Sequence, residues 1–278
     1  MKLGIISREL QARGAAELFL KTANYGFSLM QLNLKSLTKE EMPDHIPDAL
    51  NREIADEAAK NKIEILAVNG TFNMCHPDPL VRRDGISRFE KIASTCNVYG
   101  CNLITLCTGS RNLDSMWSPH PDNNTDQAWK DMIKTMEELI PISEKYNVFL
   151  GIEPEASNVV NSPVKAKKLI EEMKSSRLKI VLDGANLFQE GMAKRENVRP
   201  IIAEAFELLG SWTILAHGKD ILEGDGIDFT SAGKGIVDFN FFLDELEKIN
   251  YKGGMILHGI KEEKDIPACT DFFRNLSS

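Results

Sequence analysis

At 278 residues, with 42% hydrophobic and 27% charged side chains, the chain has the balance of a soluble globule long enough for one large single-core domain. Its formal charge of -8, from 33 basic and 41 acidic side chains with no Lys/Arg run, argues against nucleic acid as the main partner, because neutralising phosphates needs a basic face. No stretch reaches the roughly 18 apolar residues of a membrane span, the first strand-like segment starts at Lys2 and leaves no place for a signal peptide, and five cysteines without CxxC spacing fit the reduced thiols of a cytoplasmic protein.

In chain order, short apolar β-branched runs alternate with longer amphipathic ones. LGIIS (3 to 7) is strand-like and precedes a helical stretch over 8 to 26. FSLMQLN (27 to 33) and EILAVNG (64 to 70) are the next strands, followed by a helix over 81 to 100; this helix and the first end in a Tyr-Gly stop. LITLCTG (103 to 109) leads to a helix over 126 to 146, and NVFLGIEPE (147 to 155) to one over 162 to 175, with Ser162 as N-cap and Pro163 in its first turn. LKIVLDGAN (178 to 186) and WTILAHGKD (212 to 220) follow, then a helix over 238 to 249 opened by Asp238, and finally GGMILHGI (253 to 260).

Strands apolar on both faces and alternating with helices imply a parallel sheet covered by helices. Eight such strands in this length close most naturally into a single (β/α)8 TIM barrel, an α/β fold occupying residues 1 to 278 as one domain. A doubly wound open sheet is the competitor, but ISRELQARG after the first strand lacks the G-x-G-x-x-G fingerprint.

Barrel chemistry sits at the C-terminal strand ends. Those ends carry Ser7 and Arg8, Gln31 and Asn33, Asn69 with Asn73 and His76 beyond it, Thr108 and Arg111, Glu153 and Glu155, Asp183 and Asn186, His217 with Lys219 and Asp220, and His258. Residues two apart on a strand share a face, so Glu153 goes with Gly151, Asp183 with Val181, His217 with Leu215 and His258 with Ile256. All four ligand-type side chains then point into the mouth from consecutive strands, a donor set suited to a divalent metal. Taken singly, each has a plainer explanation: Glu153 as a carboxylate entering a solvated loop, Asp183 as a turn cap, His217 as a core histidine, and Lys219 as one half of a salt bridge to Asp220 or Glu153. The coincidence of four equivalent positions favours the metal.

GIEPE, IVLDGANLF, LAHGKD, GKGIVDFNFFLDEL and NYKGGMILHG, in this order and spacing, resemble the successive blocks of the sugar phosphate isomerase/epimerase group of the xylose isomerase-like barrel superfamily. The resemblance implies a divalent metal held by Glu153, Asp183 and His217. It also implies a fourth ligand at the end of strand eight, usually a glutamate, where this chain has His258. Several members place a histidine three residues after the aspartate, where this chain has Asn186.

The expected reaction is isomerisation or epimerisation of a sugar, sugar phosphate or related polyol through an enediolate, with Glu153, Glu155 and Lys219 as candidate catalytic groups. Arg8, His76, Arg111, Trp117, His120 and Asn186 are candidate substrate contacts, the cationic ones for a phosphate or carboxylate. An imidazole at 258 removes one negative charge, favouring Mn²⁺, Zn²⁺ or Co²⁺ over Mg²⁺, and a metal-bound imidazole is a poor carbon base. One-base isomerisation and a dehydratase or lyase on a cyclic polyol or keto acid therefore gain on symmetric two-glutamate epimerisation. An endonuclease of the type IV apurinic class lacks the extra ligands it needs, and a non-catalytic sugar-binding barrel would follow if His258 marks a decayed site. The expected partner is a small carbohydrate, with neither nucleic acid nor membrane expected and a homo-oligomer compatible with the sequence.

Overall fold

The computed structural model describes residues 1–276. Eight parallel strands form the frame: β1 (Leu3–Ile6), β2 (Leu29–Leu32), β3 (Glu64–Asn69), β4 (Leu103–Leu106), β5 (Phe149–Ile152), β6 (Leu178–Asp183), β7 (Thr213–Ile221) and β9 (Met255–Leu257). Each pairs with its neighbour in chain order, β9 pairs with β1 and β7, and β6 pairs with β7, so the sheet closes into the expected (β/α)8 barrel. A ninth strand, β8 (Phe229–Ser231), folds back antiparallel on the end of β7. The sequence reading stopped at Asp220 and missed this hairpin, because three residues are too few to show a period.

The helices are α1 (Ala15–Asn24), α2 (Asp48–Asn61), α3 (Pro79–Cys96), α4 (Asp126–Lys145), α5 (Pro163–Met173), α6 (Val198–Leu209), α7 (Phe239–Lys248) and α8 (Ile266–Leu276). The stretch read as one helix from 8 to 26 is a single 3-10 turn at Ser7–Glu9, a loop, and then α1. Ser162 and Asp238 cap α5 and α7 as expected, accepting from the Lys165 and Phe241 amides. Helix α2 escaped the sequence reading because its buried stripe is only Asn51, Ile54 and Ala58, about one residue per turn.

Two apolar cores follow from this layout. The large one lies between strands and helices and includes Phe19, Phe89, Phe188, Phe239 and Phe242. The small one fills the barrel with Ile6, Leu29, Ala67, Leu103, Val181, Leu215 and Ile256. Val181, Leu215 and Ile256 precede Asp183, His217 and His258 by two residues, so the pleat carries the inward direction up to the mouth. A Cβ on Gly151 would come within 2.9 Å of Val181 Cγ2, which places position 151 on the same inner face below Glu153.

Asp220, at the end of β7, organises the loop that follows. Its Oδ1 accepts from the Ile221 and Val237 amides, and its Oδ2 from those of Gly233 and Gly235. The Gly233 and Gly235 amides are thus satisfied internally. Asp220→Asn swaps one acceptor oxygen for a donor facing either the buried Ile221 and Val237 amides or the part-buried Gly233 and Gly235 amides. It should lower stability by about 3 kcal/mol, read as a fall in the urea midpoint at unchanged slope.

Candidate metal centre

Register assembles the centre. Asp183 stands opposite His217 across the β6–β7 ladder, and His217 stands opposite Ile256, two residues before His258. Glu153 follows β5 directly, its amide bonded to the Leu106 carbonyl. The four residues offer one donor atom each, all within 4.8 Å of one another, and all four are buried. His217 Nδ1 lies 3.2 Å from Glu153 Oε1 and 3.9 Å from Asp183 Oδ2, and His258 Nε2 lies 2.7 Å from Asp183 Oδ2. The imidazoles meet edge to face with centroids 4.6 Å apart.

Gln31 donates through Nε2 to Thr105 Oγ1, which turns its Oε1 to accept from His217 Nε2 at 2.8 Å. His217 Nδ1 faces the Glu153 and Asp183 carboxylates, so three potential ligand atoms meet at one point. His258 is pushed down to about 4, first by burial and also by Lys219 and His217, against the opposing hydrogen bond to Asp183. It is neutral at pH 7, with one proton for two nitrogens, and its Nδ1 is buried without a hydrogen-bond partner. Burial opposes ionisation of Asp183, but Lys219 and the two histidines hold its carboxyl far below the ordinary range. Glu153 is also lowered against burial, chiefly by His217. Two ionised carboxylates and two imidazole rings in a dry pocket suit a divalent cation with mixed N/O ligands.

Lys219 and Asn186 brace this centre. Lys219 Nζ lies 3.5 Å from Asp183 Oδ2, donates to Asn186 Oδ1, and sits 3.7 Å above the Phe229 ring. Asn186 Nδ2 in turn donates to Glu153 Oε1 at 2.6 Å. Lys219 therefore pairs with Asp183, neither with Asp220 nor with Glu153.

A cavity of about 420 Å³ opens over the centre. Its walls include Arg8, Trp117, Glu155, Asn186 and Lys219 among the expected contacts, together with Glu41, Cys107 and Phe229. Of the remaining candidates, none lines it. Arg111 bonds the Cys75 carbonyl and Asp131, an acid it shares with Arg82. His76 and His120 each use Nδ1 to accept a backbone amide two residues on, at Asp78 and Asp122. Glu41, in an irregular loop, and Phe229, on the short β7–β8 hairpin, carry no sequence signal that marks them as wall residues. Gln31 stood at a strand end, but its bond to His217 is visible only across the barrel. All five cysteines are free and buried, and burial pushes the Cys107 thiol well above its ordinary value.

Glu155 is pushed up to about 7 by burial, with Glu153 and Asp183 adding to the effect and Lys219 opposing it. A carboxyl whose folded-state value is raised contributes stability at low pH that is lost as pH rises through the folded value. In chelator-treated protein, Glu155→Gln should match wild type near pH 5 and exceed it by about 2 to 3 kcal/mol near pH 8.5, measured as urea unfolding at both pH values.

With this geometry established, comparison with known proteins gives the following. The family model described as a xylose isomerase-like TIM barrel matches residues 19–276. No curated protein sequence matches. Among solved structures, 3-keto-D-glucoside 4-epimerase from E. coli aligns at TM-score 0.74 and 18% identity, covering 100% of this chain and 99% of that one. The probable 3-DHS dehydratase from Bacillus anthracis aligns at 0.74 and 15%, covering 99% of each chain. The IOLI protein with a bound zinc atom aligns at 0.73 and 16%, covering 99% of this chain and 98% of that one. At these identities the likeness establishes the fold.

Proposed function

Because the chain belongs to the xylose isomerase-like TIM barrel family, we propose that it is a divalent-metal-dependent isomerase or epimerase of a sugar or related polyol, with Glu153, Asp183, His217 and His258 holding the ion. The observation that carries this reading is the buried cluster of four donors on four neighbouring strands. The dehydratase is the second reading. It is favoured by the imidazole at 258, where a second glutamate would serve symmetric epimerisation.

When bound, a divalent cation supplies Lewis-acid polarisation of a carbonyl and its neighbouring hydroxyl. The protein's own groups do the rest. Glu155 stands in the cavity wall outside the donor cluster, its Oε1 accepting from the Ser157 hydroxyl, and serves as the base for the proton on the carbon between those two oxygens. Lys219, anchored by Asp183 and Asn186, presents an ammonium to the oxygen on which negative charge develops. Trp117 and Phe229 wall off solvent from the sugar face. Both His258 nitrogens lack a free proton-accepting role once one is a ligand and the other is enclosed, so Glu155 alone removes the proton and, after exchange with water, delivers one to the product carbon.

Metal-supplemented protein incubated with D-fructose, D-tagatose or D-psicose in D₂O should yield an isomer of equal formula apart from deuterium at the carbon next to the carbonyl. A product lighter by one water would identify the dehydratase. Glu155→Gln should lower kcat about 10²- to 10⁴-fold at nearly unchanged KM. His258→Glu adds a hard anionic ligand, so competitive chelator titration should show its Mg²⁺ affinity rising relative to Zn²⁺.

A further inference from the structure

The space over the donor cluster does not end at Trp117. Trp117, Glu155 and Phe229 also wall a second cavity of about 420 Å³, which extends to Pro119, Gln189 and Ile227. The divider is held in place, since the Lys219 ammonium sits against the Phe229 ring.

The two spaces differ in chemistry. The first is lined by the cations Arg8 and Lys219, by the acids Glu41 and Glu155, and by the donors Glu153, His217 and His258. Among the described residues, the charged side chains lining the second are Glu155 and Glu190, with no Lys or Arg in its walls. Carboxylates without a cation repel a phosphate or carboxylate group. What remains is a surface for a neutral ring: Trp117 is 47% exposed and offers a flat apolar face, and Ile227 is half-buried beside it. Gln189 donates its Nε2 to the Asn161 carbonyl, which leaves its Oε1 to accept from a hydroxyl.

We infer that this second cavity is a subsite for an uncharged sugar ring joined to the reacting sugar, so that the substrate class is a disaccharide or glycoside, with sugar phosphates disfavoured. The inference rests on the proposed reading of the first cavity. The joined ring occupies the space beyond Trp117, Glu155 and Phe229, and its hydroxyls meet Gln189 and Ser157.

The test is calorimetric titration of the full chain with Mn²⁺ present, using D-fructose, 6-O-α-D-glucopyranosyl-D-fructose and D-fructose 6-phosphate. The disaccharide should bind at least about tenfold tighter than D-fructose, and the phosphate no tighter than D-fructose. Ile227→Trp, which fills the second cavity without touching the donors, should abolish the disaccharide's advantage and leave D-fructose binding unchanged. Gln189→Ala, a milder change, should reduce the advantage severalfold. Equal affinity for the two neutral sugars, an advantage that survives both variants, or tightest binding of the phosphate would overturn the subsite while leaving the first cavity's reading intact. Failure of all three sugars to bind would overturn that reading and the subsite with it.

Discussion

Two carboxylates and two imidazoles share one dry point at the mouth of the barrel, and the need to neutralise them organises what surrounds it. Burying a charge is costly unless it is paired. One positive group, Lys219, reaches this cluster at 3.5 Å from Asp183. The Nδ1 of His217, whose other ring nitrogen is bonded to Gln31, faces the Glu153 carboxylate at 3.2 Å. The surroundings are consistent with a site built for a cation. Asn186 steadies Glu153, the Ala185 and Asn186 amides bond Asp183 Oδ1, and Gln31 and Thr105 set the His217 ring.

This arrangement depends on register more than on local sequence. The four donors come from four strands, and parallel pairing across β6, β7 and β9 brings their ends to one level. Apolar packing inside the barrel enforces that register, because a slip of one residue would turn Val181, Leu215 and Ile256 outward and the donors with them. Stability and chemistry are therefore linked through the pleat. The hairpin of β7 and β8 extends the logic upward: Asp220 pins the loop by four amides, and Phe229 is carried over the cavity against Lys219.

What could be read from the sequence follows the same division. Strand ends were legible because a period of two runs unbroken from the core to the mouth, so Glu153, Asp183, His217 and His258 could be placed together before any coordinates. Loop residues were not, because residue type does not fix where a loop turns its side chains. Arg111 looked like an anion contact and is held by Asp131 and the Cys75 carbonyl; His76 and His120 looked like contacts and each accepts a backbone amide two residues on. Helix α2 was invisible because its buried face is so narrow, and β8 because it is only three residues long. The resemblance to the family's blocks adds the expectation that these residues share a metal, and His258 stands where this chain departs from those blocks.

The central claim is that these four side chains hold one divalent ion. Its most direct test is anomalous scattering from crystals of the protein grown with Mn²⁺ or Zn²⁺. The account predicts a single strong peak about 2.0 to 2.6 Å from donor atoms of Glu153, Asp183, His217 and His258. No peak among them, or one that leaves His258 still bonded to Asp183 and outside coordination distance, would contradict it.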